Sequence, residues 1–132
     1  SGNKYAHLVL RGSNGAINYD DASLQEVYDL YSKNNLHNPA VIVDVSHDNC
    51  VINGKKDHNA QYDIVLNVLH SLKQQSHLQK LVKGFMLESF IVEGRQDAEN
   101  NPTLDLSGLS ITDPCLSWVK TAELIKRVAD LL

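Results

Sequence analysis

The stretch AVIVDVSH, residues 40–47, is a run of apolar residues interrupted by one acid, Asp44, and ending on Ser46-His47. Val41, Ile42, Val43 and Val45 do not alternate with polar residues. Such an unalternating β-branched run fits a strand of a parallel sheet covered on both faces. Pro39 precedes it, and the polar pair Asp48-Asn49 follows.

Two further strands flank this one. AHLVLRG, residues 6–12, reads as a short buried strand that stops at Arg11-Gly12, and KGFMLES, residues 83–89, as a third. Helices fall between them. Leu24, Val27, Tyr28 and Tyr31 have the i, i+3, i+4, i+7 spacing of an amphipathic helix. Asp20 or Asp21 caps its start and Asn34-Asn35 its end. A second helix is predicted from about Asn59 to Gln75, with Tyr62, Val65, Leu66, Leu69 and Leu72 on one face. A loop rich in Asn, Asp, Gly and Pro runs from Glu93 to about Pro114. The last helix, KTAELIKRVADLL, carries Leu124, Ile125, Val128 and Leu131 as its stripe. The order β-α-β-α-β-loop-α predicts an α/β fold with right-handed parallel crossovers. A parallel sheet of three strands leaves two edges unpaired.

The chain's 132 residues suit one domain, and 42% hydrophobic with 21% charged residues is a soluble globular composition. No apolar run approaches the ~20 residues of a membrane span, so no membrane partner is expected. A net charge of -4 argues against a general nucleic-acid surface. It leaves room for a small anionic substrate held by a local Arg or Lys. Cys50 and Cys115 form no CxxC and read as small, partly buried thiols in a reduced, cytoplasmic setting. The start, Ser1-Gly2-Asn3-Lys4, has neither an initiator Met nor an apolar leader, so a cut, tagged or processed chain is expected.

Each strand ends in chemistry. The first ends in Arg11, the second in Ser46-His47 and the third in Glu88-Ser89; the loop after the third carries Asp113. Carboxyl ends of parallel strands open onto one face, where ligand and catalytic groups collect. Arg11, His47 and Glu88 are therefore expected to share a space, with Asp113 joining if the long loop folds back. An imidazole and two carboxylates suit Mn, Fe, Co or Zn, and Arg11 offers a planar fork for phosphate or carboxylate. Ordinary structural readings stand beside these. A lone histidine such as His47 at a strand end is more often a hydrogen-bonded loop residue than a ligand. Glu88 also reads as a solvated charge or a partner of Arg11, Asp113 as a turn residue before Pro114, and Arg11 as a partner of Asp44. Lys55-Lys56 reads as a solvated loop that has the option of facing the site. Lys73, Lys80 and Lys83 read as a solvated face, and His58, His70 and His77 show no convergent partners.

HLVLRG, DVSHDN, GFMLESFIVEGRQ and GLSITDPCLSW occur in this order. Together they resemble the C-terminal part of the metal-dependent 3-deoxy-D-arabino-heptulosonate-7-phosphate (DAHP) synthases, over nearly the whole chain. The resemblance implies a (β/α)₈ barrel, of which this single segment, residues 1–132, supplies the last three βα units. It implies condensation of phosphoenolpyruvate with erythrose 4-phosphate, the first step of the shikimate pathway to aromatic amino acids. His47, Glu88 and Asp113 match metal ligands, Arg11 matches a residue that holds the phosphoenolpyruvate phosphate, and His47 is also expected to help move a proton. Asp44 and Ser46 take support roles. The family's fourth ligand, a cysteine on an early strand, has no counterpart here, since neither Cys50 nor Cys115 occupies its position. The divalent-metal ligand set is thus incomplete, and the isolated chain is expected to be inactive. Alternatives are a metal-binding but non-catalytic segment, or a self-associating one; a homo-oligomer is expected.

Overall fold

The computed structural model describes residues 2–100 and 103–132. In chain order the elements are β1 (Leu8–Leu10), α1 (Asp21–Lys33), β2 (Val41–Asp44), a 3-10 turn (His47–Cys50), β3 (Val51–Ile52), β4 (Lys55–Lys56), α2 (Ala60–Leu72), α3 (Ser76–Leu81), β5 (Val82–Met86), β6 (Ser89–Phe90), β7 (Leu116–Ser117) and α4 (Trp118–Leu131). The expected α/β order is present. Strands β1, β2 and β5 form a parallel sheet with β2 in the centre. Val43 lies level with Leu10 on one side and Phe85 on the other.

Side chains alternate across a strand, so Val41, Val43 and Val45 share one face. All three have 0% exposure and pack with Leu24 of α1, Val65 and Val68 of α2, Leu78 and Leu81 of α3, and Leu124 of α4. Burying each valine contributes ~1.5–3 kcal/mol, so β2 anchors the core. The register puts Val9, Ile42, Gly84 and Met86 on the other face, where they stay half-buried or exposed. The sheet is therefore covered on one face and not on both. The β-branched run cannot distinguish the two cases, because Ile42 has the same propensity whether or not a layer covers it.

The helices follow their caps. The Asp20 side chain accepts from Ser23 N and closes the start of α1. The second helix, expected from about Asn59 to Gln75, is α2, and a further short helix that the spacing does not announce, α3, follows it before β5. The buried stripe of α2 is Gln61, Ile64, Val65, Val68 and Leu72, with Tyr62, Leu66 and Leu69 at its margin. On α4 the buried residues are Thr121 and Leu124, while Ile125 is exposed, contrary to its place in the predicted stripe. The Thr121 hydroxyl meets Ser89 Oγ at 2.6 Å and donates to Ser117 O at 3.0 Å.

The described residues between β6 and β7, expected as loop, are folded back by backbone pairing. Gly94 pairs with Cys115, Arg95 with Ser110, and β6 with β7 in parallel. Leu116 N donates to Glu88 O at 3.0 Å. The end of the loop is thereby drawn to the carboxyl end of β5.

Candidate metal centre

Asp44 ends β2 with its side chain 1% exposed. Its Oδ1 accepts from Ser46 N at 3.0 Å and from Ser46 Oγ at 2.6 Å. This is an Asx-type turn, and it diverts the chain out of the strand. His47 follows with φ 52, a backbone region that non-glycine residues seldom occupy. The other Asp44 oxygen, Oδ2, lies 2.8 Å from His47 Nδ1. A carboxylate there only accepts, so Nδ1 carries the proton and the Nε2 lone pair points outward. A histidine oriented through its second nitrogen in this way is the usual arrangement of a metal ligand.

Nε2 faces two carboxylates, Glu88 Oε1 at 3.7 Å and Asp113 Oδ2 at 4.0 Å. One ligand atom from each of the three residues lies within 4.8 Å of the others. A neutral nitrogen and two carboxylate oxygens converging this closely suit a divalent cation chemically. The residues present therefore fit a metal, with three protein donors.

Each donor is held from a different direction. Glu88 is fixed through its backbone by Gln61, which is wholly buried on α2: Glu88 N donates to Gln61 Oε1 at 2.9 Å, and Gln61 Nε2 to Glu88 O at 3.3 Å. Asp113 is fixed through its side chain, whose Oδ1 accepts from Lys56 Nζ. That ammonium holds the Asp113 carboxyl below its ordinary range, against burial, which pushes the other way. Burial pushes the thiols of Cys50 and Cys115 up.

Arg11 stands beside this centre, its Nε 3.9 Å from Asp44 Oδ2 and its side chain 58% exposed. The pairing with Asp44 that the sequence allowed is thus present, and most of the guanidinium stays open to solvent. The base beneath it is a buried amide clamp. Asn49 Nδ2 donates to Leu10 O at 3.1 Å, Asp44 O at 2.7 Å and Asn18 Oδ1 at 3.1 Å, while Asn18 N donates to Asn49 Oδ1 at 2.9 Å. It ties the end of β1, which carries Arg11, to the turn that carries His47.

The structure brings His47, Glu88 and Asp113 together, with Arg11 next to them through Asp44. Lys56, expected as a solvated loop residue with the option of facing the site, does face it, and Gln61 is a residue that the sequence does not single out. Lys56 reaches Asp113 from a hairpin, and Gln61 holds Glu88. The signal for the first was Asn53-Gly54, a hairpin turn pair; the signal for the second was a polar residue in phase with Ile64, Val65 and Val68. His58 also has partners: it lies 3.4 Å from Glu93 Oε1, whose other oxygen meets Lys120 Nζ at 2.7 Å.

The sequence matches the DAHP synthetase I family over residues 1–126. It is 35% identical over 130 residues to the Trp-sensitive phospho-2-dehydro-3-deoxyheptonate aldolase of Buchnera aphidicola subsp. Schizaphis graminum (strain Sg), covering 98% of this chain and 34% of that one. The enzyme of the same description in Escherichia coli (strain K12) is 33% identical over 129 residues, with 98% and 34% covered. The solved structure of phospho-2-dehydro-3-deoxyheptonate aldolase from Francisella tularensis SCHU S4 aligns with a TM-score of 0.83 at 27% identity, over 98% of this chain and 35% of that one. The chain thus spans about a third of the length of the relatives it matches. A family match over nearly all of its residues shows that this chain belongs to the DAHP synthetase I family.

Proposed function

We propose that this chain is the C-terminal portion of the catalytic domain of a DAHP synthase, which condenses phosphoenolpyruvate with erythrose 4-phosphate and releases phosphate. In this reading residues 1–132 form one segment, and β1, β2 and β5 are the last three of eight strands of a (β/α)₈ barrel. The half-open face bearing Val9, Ile42 and Met86 is then the side that lines a barrel interior. The observation that carries the proposal is the meeting of His47, Glu88 and Asp113 at the carboxyl ends of parallel strands, where barrel enzymes keep their chemistry.

The divalent ion (Mn, Fe, Co or Zn) is proposed to be held by His47, Glu88 and Asp113, and when bound it supplies Lewis-acid polarisation of the aldehyde or activation of water. The chain's own residues do the rest of the local work. Arg11 orients the phosphate of phosphoenolpyruvate through its exposed fork. His47, held by Asp44, is the group placed to move a proton in the same space. Two buried, unpaired thiols fit a reducing cytoplasm, and among the described residues no helix is long and apolar enough to cross a membrane.

The chain alone is expected to turn over slowly or not at all. Three donors and one arginine leave most of both substrates ungripped, and positioning is worth ~7 kcal/mol or more of a barrier. An assay of the purified chain with both substrates and Mn measures this, and turnover at the rate of an intact relative refutes it. Metal binding is tested separately, by Mn titration of the wild type and His47→Ala. Equal affinities would remove the ligand assignment.

A second reading concerns assembly. Strands β1 and β5 each lack a neighbour on one side, and Phe90, Ile91 and Trp118 are exposed nearby on the β6 and α4 side. We propose that copies of the chain associate through such edges into a homo-oligomer. Light scattering over a concentration series checks this, and a monomer throughout counts against it.

A further inference from the structure

We propose that Lys56 is a positioning residue for the candidate metal centre, and that the β3–β4 hairpin exists in register to deliver it. The inference rests on the His47, Glu88 and Asp113 site and adds a residue that none of the strand ends supplies.

The hairpin follows directly from the turn that carries His47. Val51 pairs with Lys56 and Ile52 with Lys55, antiparallel. The two linking residues, Asn53 and Gly54, have φ of 51 and 75. Positive φ at both central positions belongs to a type I′ turn, whose twist matches the flanking strands and whose preferred pair is Asn-Gly. A two-residue turn leaves no slack in the register, and a slip by one residue would reverse every side chain. Lys56 and Lys55 therefore point to opposite sides. It is Lys56 whose Nζ meets Asp113 across 57 positions of chain.

The contact divides the Asp113 carboxylate between two tasks. Oδ1 takes the ammonium, while Oδ2 faces His47 Nε2 at 4.0 Å. Lys56 thus occupies the oxygen that the donor set does not use. Asp113 needs such a tether more than its partners do. His47 is locked by Asp44 and Glu88 by Gln61, whereas Asp113 comes from the returning end of a long loop. Loss of the ammonium has two opposed consequences. It removes one positive charge from beside a cation site, which favours a cation, and it frees the carboxylate to rotate away, which disfavours one. The Lys56 and Asp113 side chains are each 36% exposed, so water screens the charge effect. The geometric effect is not screened and dominates.

The test is Co²⁺ titration of the 132-residue chain, read by visible d–d absorption, which reports both affinity and coordination. Lys56→Met is expected to bind ~10-fold more weakly, the lower end of what loss of a ligand's outer partner costs, and with an altered spectrum. Lys56→Arg is expected to restore most of the affinity and the wild-type spectrum, and Lys55→Ala to leave both unchanged. Matching circular dichroism among the variants keeps misfolding out of the comparison. Co²⁺ binding by Lys56→Met as tight as wild type, or tighter, overturns the role of Lys56 while leaving the site intact. No uptake by the wild-type chain overturns the metal site and this role together.

Discussion

Replacing Asn49 by Ala should loosen both strand ends at once. The side chain is 2% exposed and makes four hydrogen bonds, to Leu10 O, Asp44 O, Asn18 Oδ1 and from Asn18 N. The two Nδ2 protons are shared among three acceptors, so about three full bonds are lost at ~0.5–1.5 kcal/mol net each, giving ~1.5–4.5 kcal/mol in all. The middle of that range is favoured, because water reaches part of the vacated space and relieves some of the stranded carbonyls. The expected loss is ~3 kcal/mol, a large part of the ~5–15 kcal/mol that holds a domain together. Urea unfolding at neutral pH measures it from the midpoint and slope. One of the four bonds, Asn49 Nδ2 to Asn18 Oδ1, joins the two side chains, so a double-mutant cycle with Asn18→Ala should show coupling of ~0.5 kcal/mol or more. A loss for Asn49→Ala under ~1 kcal/mol, or fully additive mutants, would refute the idea that this amide clamps β1 to β2.

Gly12→Ala should cost ~2 kcal/mol or more. Gly12 has φ +74, and a Cβ there would sit 2.7 Å from Asp48 Cβ and 2.8 Å from Asn49 N, so left-handed strain and overpacking add. Gly54→Ala, at φ +75 with nothing within 4 Å, should lose only the ~1–2 kcal/mol of the first kind; equal losses in urea unfolding would count against the close approach at Gly12. Asp20→Ala should cost ~1 kcal/mol at neutral pH through its lost cap. Burial works to raise the Asp20 carboxyl, but hydrogen bonds from Ser23 outweigh it and hold the group low. A lowered carboxyl stabilises the fold above its unfolded value and ceases to do so as pH falls through its folded value. The gap between wild type and Asp20→Ala should therefore narrow in acid, and a gap that widens would reverse the assignment.

Much of the centre was legible because strand ends are a property of the one-dimensional pattern. Arg11, His47 and Glu88 each follow an apolar run, and parallel strands bring such ends to one side. Asp113 was legible only as a condition, since its arrival depends on backbone pairing between Gly94 and Cys115 and between Arg95 and Ser110, which leaves no hydrophobic period to read. The hairpin that carries Lys56 was hidden by length. Strands of two residues carry no alternation, and only the Asn-Gly turn marked them. Gln61 was hidden by polarity, because a buried amide interrupts the very stripe that locates the helix face. Ile125 erred the other way. An apolar residue at helical spacing is expected inward, but Ile125 stands one position past the buried Leu124, at the margin of the stripe, and is exposed.

The central position of β2 has a kinetic consequence. It has a paired strand on each side and two wholly buried valines, with a third, Val45, just past its end, so its amides should open only with the whole fold. Asp113 stands on a returning loop pinned by the Gly94–Cys115 and Arg95–Ser110 pairs and by a partly exposed lysine. Its amides are expected to exchange before those of β2. Hydrogen exchange at residues 111–113 against residues 41–44 would show how unevenly the two sides of the centre are held.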